Sequence, residues 1–154
     1  MSEKSKKQLN LSVHQLVDFL LREGDIDNRI YNQETMNLGS KIHSSFQKKQ
    51  GKSYLSEVFL ETTIEKKDYS IHLEGRADGI ILGDINPIID EIKSTISPLE
   101  EFYKVQKEWH YGQAKCYAYM YLKKEKLPRA NIRLTYISQQ DFDQRMVKER
   151  CFTF

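Results

Sequence analysis

Residues 87–95 read Pro-Ile-Ile-Asp-Glu-Ile-Lys-Ser-Thr, an apolar run with three charges in its middle. In a strand, successive side chains alternate between the two faces of the sheet. Ile89, Glu91 and Lys93 then share one face, and Ile88, Asp90 and Ile92 take the other. A carboxylate and an ammonium two residues apart on an apolar strand are costly to bury without partners. This segment is therefore expected to be the central strand and to lie in a site that does chemistry. Just upstream, Leu73-Glu-Gly-Arg-Ala-Asp-Gly79 brings a further carboxylate, Asp78, to the end of another strand.

Outward from this pair the periodicity is of two kinds. Tyr54–Glu65 alternates, with Val58, Leu60, Thr62 and Ile64 on one face; Lys66-Lys67-Asp68 is a turn. The next strand runs over Tyr69–Ala77, with Ile71, Leu73, Gly75 and Ala77 inward. Gly79 and Gly83-Asp84 then break the apolar run into a short hairpin that leads to the central strand. On the N-terminal side the spacing becomes helical. Ser12 is expected to cap a helix reaching about Glu23, with Val13, Leu16, Val17 and Leu20 on one face and Gly24 as its stop. Asp25–Gln33 reads as a loop. A second helix over about Glu34–Gln50 carries the stripe Met36, Gly39, Ile42, His43 and Phe46 and ends at Gly51. Beyond Pro98 come a mixed segment, a long helix over Trp109–Lys124 or starting earlier, and strands at Asn131–Ser138 and Arg145–Phe154. The order of elements gives an α/β or α+β fold around one central sheet.

A chain of 154 residues fits one domain, expected over residues 11–154 with residues 1–10 as a flexible tail. The formal net charge is +2, and Lys4, Lys6 and Lys7 against Glu3 account for all of it, so the remainder nets to zero. A nucleic-acid partner would have to meet a local basic patch. Lys41, Lys48, Lys49 and Lys52 form one such group, and Lys104, Lys107 and Lys115 another; a solvated helix face is the plain alternative for each. The first ten residues contain no apolar stretch suited to a signal peptide, and no run approaches a membrane span. Cys116 and Cys151 are too few for a zinc knuckle or a four-thiolate cluster, and a cytoplasmic protein with free thiols is expected.

Asp78 and Glu91, converging from neighbouring strands, form a hard oxygen site suited to Mg²⁺ or Mn²⁺. Lys93 beside them could orient a water and stabilise charge developing on a phosphate. Glu91 with Lys93 as a simple ion pair is the competing reading. His43, in the apolar stripe of the second helix, is either a core residue or a neutral imidazole that completes the metal site. Gln113 and Tyr117 are four residues apart and so share a helix face, which Tyr121 extends. The two tyrosines suit core packing, but a buried Gln113 amide would need partners.

Together these pieces resemble the PD-(D/E)xK nuclease superfamily, in the branch that holds the RecB and AddB nuclease domains and the CRISPR-associated RecB-like exonucleases. The resemblance rests on Gly39-Ser-Lys-Ile-His43, Gly75-Arg-Ala-Asp78-Gly79, Ile89-Asp-Glu91-Ile-Lys93 and Gln113-Ala-Lys-Cys-Tyr117, in that order. It implies a restriction-endonuclease-like α/β fold, a central mixed sheet flanked by helices. It also implies a metal-dependent DNA nuclease, in the exonuclease branch, acting on single strands or DNA ends. Asp78, Glu91, the Ile92 carbonyl and His43 would bind Mg²⁺ or Mn²⁺. Lys93 would be the catalytic lysine, and Gln113 with Tyr117 would support the site or contact substrate phosphate. Glu57 falls near an acidic position of some relatives, whereas Asp90 should point away.

Many CRISPR-associated relatives hold an iron–sulfur cluster on four cysteines, and no cysteine precedes Cys116 here, so that cluster is not expected. The motifs also resemble the nuclease-like domain ahead of DinG-type helicases. A catalytically weak DNA-binding module attached to a helicase is therefore the alternative function, and the chain could be part of a longer one.

Overall fold

A computed structural model describes residues 5–21 and 33–154. The elements are β1 (Lys7–Ser12), α1 (Val13–Leu21), α2 (Gln33–Lys48), β2 (Tyr54–Glu65), β3 (Tyr69–Ile81), β4 (Ile88–Thr95), α3 (Leu99–Glu125), β5 (Arg129–Ser138) and β6 (Arg145–Thr153). The strands form one mixed sheet in the order β1-β3-β4-β5-β6, with β2 paired to β3. β4 and β5 run parallel across the α3 crossover, and β2–β3 and β5–β6 are antiparallel. This is the mixed sheet flanked by helices that a restriction-endonuclease-like fold requires.

Four expectations need correction. Residues 7–10, read as tail, belong to β1, which pairs in parallel with Tyr69–Glu74 of β3. Gly79 does not end the strand; β3 continues to Ile81, so Asp78 lies within it. The mixed segment after Pro98 is helical, and α3 starts at Leu99 with Glu100 and Glu101 in its first turn, where acidic groups suit the helix dipole. Of the expected α1 stripe, Leu20 is exposed. The expected stop at Gly24 and the loop up to residue 32 lie outside the described residues.

Two apolar clusters occupy opposite faces of the sheet. Ile89, Leu134 and Tyr136 pack with Val13, Val17, Ala114 and Tyr117 of α1 and α3. Ile92 and Ile137 pack with Ile42 and Phe46 of α2. The alternation of inward residues slips by one at a single level. In β3, Leu73 and Ala77 face α3, but so does Ile80, three residues on. In β2, Leu60 faces α3 while Tyr54, of the same parity, faces α2. The slip falls at Glu57 and Asp78, the one opposed pair missing from the β2–β3 register between Tyr54 and Glu65. Glu57 takes a left-handed φ of 54°, a conformation that costs a non-glycine residue roughly 1–2 kcal/mol.

After the slip, Gly79 lies under the Tyr54 ring: a Cβ there would come within 2.1 Å of Cζ. Tyr54 in turn donates its hydroxyl to Asp90 at 2.7 Å. Asp90 is fully buried and also accepts from Arg133 at 2.9 Å and Thr135 at 2.6 Å. It points away from Glu91, as strand periodicity requires, and is an internal anchor for β2, β4 and β5. Tyr54→Phe should remove one donor from this buried carboxylate and cost about 1–3 kcal/mol. Gly79→Ala, which must displace the ring, should cost about 2–3 kcal/mol. Urea denaturation midpoints check both, and unchanged midpoints would contradict the packing described.

Candidate metal centre

The slip opens a window along one edge of β3. β1 pairs with β3 only as far as Glu74, and β4 pairs only with Gly79–Ile81. Between them Gly75–Asp78 has no strand on that edge. Across the gap, the Asp78 carboxylate accepts the Ile92 N–H at 2.8 Å and replaces the missing backbone ladder. The odd-numbered carbonyls Pro87 and Thr95 accept from the β5 side, from the N–H groups of Asn131 and of Gln139 just past the strand. Parallel-strand parity therefore turns the Ile92 carbonyl toward the window.

Side chains reach the window from both faces. From α2, His43 places Nδ1 3.9 Å from Asp78 Oδ1. One turn on, Gln47 donates from Nε2 to both Glu57 Oε1 and the Asp78 carbonyl, each at 2.8 Å. Gln47 thus clamps the slip; its position four residues after His43 is the only sign of it in the sequence. Gly39 lies on the same helix against β4, with a Cβ position 3.4 Å from Ser94 Oγ. From β4, Glu91 is buried and Lys93 half-buried, with Nζ 2.9 Å from Glu91 Oε1. From α3, the Tyr117 ring covers Gly75, where a Cβ would meet Cε1 at 2.8 Å. Tyr121 is buried in the same core.

The electrostatics tie these residues into one group. Burial first, then the Glu91 carboxylate, raises Asp78 well above the ordinary carboxylate range; Lys93 and the Ile92 N–H oppose this. Burial first, then Lys93, lowers His43 to about 4, so its imidazole is neutral at pH 7. Burial, then Glu91 and Asp78, raises the Tyr117 hydroxyl. Glu91 Oε2 is buried with no hydrogen-bond partner among the described residues. A buried Asp78 whose charge Glu91 disfavours, an orphaned Glu91 oxygen, a neutral imidazole and a window-facing carbonyl fit a hard divalent cation.

The spacing is looser than that of closed ligands. His43, Asp78 and Glu91 do not bring their ligand atoms within 4.8 Å of one another as a trio; Glu61, His72 and Glu74 do. That second group could hold a metal ion. It lies exposed on β2 and β3, where His72 Nε2 is 3.5 Å from Glu61 and 3.6 Å from Glu74. Sequence reading missed it because its members come from two strands and share no motif.

No protein-family model and no curated protein sequence matches the chain. Among solved structures, the crystal structure of SSO0001 is similar at 22% identity and a TM-score of 0.61, over 96% of this chain and 69% of that one. A phage-related exonuclease from Haemophilus somnus 129PT is more loosely similar, at 13% identity and a TM-score of 0.39, over 92% of this chain and 70% of that one. The first likeness is one of fold.

The raised Asp78 gives a pH-dependent test. A carboxyl that binds its proton more tightly when folded loses stability for the protein as pH rises from the unfolded value, 3.8, through the raised one. Asp78→Asn retains an acceptor for Ile92 and removes this loss. It should raise stability by about 1–2 kcal/mol at pH 8, and the gain over wild type should vanish near pH 4. Thermal melts at the two pH values measure it; equal melting of both proteins at pH 8 would contradict the assignment.

Proposed function

We propose that the chain is a nuclease dependent on Mg²⁺ or Mn²⁺, hydrolysing DNA phosphodiester bonds as an exonuclease on single strands or ends. The observation that carries this reading is the window itself: the buried Asp78 and Glu91 carboxylates, a lysine and a neutral histidine meet where a strand edge is open. Asp78, Glu91, the Ile92 carbonyl and His43 would hold the cation. Once bound, it would polarise the phosphate and lower the pKa of a bound water.

The remaining work falls to side chains of the chain. Lys93 shares the face of Glu91 and can reach the same phosphate without itself being a ligand, where its charge offsets charge developing on the phosphate oxygens. Tyr117, with its hydroxyl held protonated, can donate to the phosphate from the α3 side. Exposed Lys41, Lys48 and Lys49 line a shallow groove on α2 with Ser40, Ser44 and Ser45, and suit a phosphate backbone. Lys104, Lys107 and Lys115 offer positive charge on α3.

The short Glu91–Lys93 contact and the loose ligand spacing favour a second reading, a nuclease-fold module that binds DNA for a helicase without cutting it. Lys93 separates the two. With end-labelled DNA and Mn²⁺, Lys93→Ala should retain DNA affinity within a few-fold and lose at least about a hundredfold in rate, or about 2.7 kcal/mol of barrier. If wild type cuts nothing and Lys93→Ala changes only stability, the module reading stands. His43→Ala should weaken Mn²⁺ more than Mg²⁺, since imidazole is the poorer ligand for the harder ion. DNA affinity should fall as salt rises, in a linear log–log plot whose slope reports the phosphates neutralised; a flat plot would exclude a phosphate-backbone substrate.

A further inference from the structure

On β2 and β3, Glu61 and Glu74 are directly opposed in the strand register, and so are Thr63 and His72. By strand alternation all four side chains lie on the face away from Leu60 and Leu73, which pack toward α3. Carboxylates directly opposite one another destabilise a sheet, a cost that a bound cation removes. The Glu61 and Glu74 side chains are 57% and 52% exposed and His72 only 25%, so an ion can enter while the ring is held.

Thr63 holds the ring, with Oγ1 3.3 Å from His72 Nδ1. On the other edge, Nε2 is 3.5 Å from Glu61 Oε2 and 3.6 Å from Glu74 Oε2. Both distances exceed the roughly 2.7–3.2 Å of an N–H···O hydrogen bond. They match a different geometry. Tetrahedral ligands at about 2.0–2.2 Å from a zinc ion stand about 3.3–3.6 Å apart. Neighbouring ligands around octahedral Mg²⁺, at about 2.1 Å, would stand about 3.0 Å apart. With a proton on Nδ1 donated to Thr63, the Nε2 lone pair faces both carboxylates, which is how an outer partner orients a ligating imidazole.

We propose that Glu61, His72 and Glu74 bind Zn²⁺ in a second metal site, separate from the window, through Nε2 and one oxygen of each carboxylate. The three ligand atoms already lie within 4.8 Å of one another, and rotation of two exposed glutamates closes the remaining edge. An imidazole in the ligand set selects zinc over the harder Mg²⁺ and Mn²⁺. Three protein ligands leave the fourth tetrahedral position to water. The ion ties β2 to β3 and offsets the opposed charges, so it stabilises the folded chain over the unfolded one. The proposal does not depend on the nuclease reading.

Calorimetric titration of Zn²⁺ into wild type, His72→Ala, Glu74→Gln, Thr63→Val and Glu91→Gln tests it, with excess Mg²⁺ present to occupy the window. The expected result is a Zn²⁺ Kd raised at least about a hundredfold in His72→Ala and at least about tenfold in Glu74→Gln and Thr63→Val. In Glu91→Gln it should stay within about twofold. Thr63→Val removes no ligand, so its loss reports the orientation of the ring. Zinc should raise the melting temperature of wild type and Glu91→Gln but not of His72→Ala. Co²⁺ in place of zinc should give the intense visible bands of a four-coordinate ion in wild type, and these should be absent from His72→Ala. Three results would overturn the proposal: no Zn²⁺ binding by wild type, binding that His72→Ala leaves intact, or only the weak bands of six-coordinate Co²⁺. None of them bears on the nuclease reading, which Lys93→Ala tests separately.

Discussion

A single hydrogen bond, from the Ile92 N–H to the Asp78 carboxylate at 2.8 Å, sets the geometry of everything around it. It exists because β3 meets β4 through three residue pairs only and then diverges. A backbone donor facing that gap must find an acceptor other than a strand, and a carboxylate takes the role. The same bond commits one Asp78 oxygen to the fold and leaves the other toward His43. The slip at Glu57 and Asp78, clamped from α2 by Gln47, is what turns Asp78 to this position.

This arrangement concentrates unfavourable terms in one place. Glu57 sits in a strained backbone region, burial and the Glu91 carboxylate disfavour charge on Asp78, and burial keeps His43 neutral. Strain and unmatched polar groups cluster where a protein has use for them. The cost is carried by the surroundings. Asp90, one residue from Glu91 and on the opposite face, has four hydrogen bonds from Tyr54, Arg133 and Thr135. One aspartate of the adjacent pair is satisfied completely, and the neighbouring glutamate keeps an orphaned oxygen. That asymmetry distinguishes a structural carboxylate from one available to a ligand.

Much of this was legible from periodicity. The alternation in 87–95 separates Glu91 and Lys93 from Asp90, and the structure keeps that division. Helical spacing put His43 on the inner face of α2 and put Gln113 and Tyr117 on one face of α3. What periodicity missed has physical reasons. β1 reads Lys-Gln-Leu-Asn-Leu-Ser, mostly exposed, and is a strand because β3 offers it a parallel edge rather than because it buries an apolar face. The first turns of α3 mix charged and aromatic residues, and only packing of Phe102 and Tyr103 on Tyr136 reveals their register. The slip at Glu57 is a backbone torsion, which no count of side chains detects. Gln47 acts through a contact 31 residues away in sequence, so no local pattern marks it.

Two groups of donors could hold a divalent ion, the proposed window residues and Glu61, His72 and Glu74. The account requires the first. Calorimetric titration of Mn²⁺ into wild type, Glu91→Gln and His72→Ala separates them directly. The account predicts a binding event in wild type that persists in His72→Ala and weakens at least about tenfold, or 1.4 kcal/mol, in Glu91→Gln. Binding unchanged by Glu91→Gln and abolished by His72→Ala would contradict it.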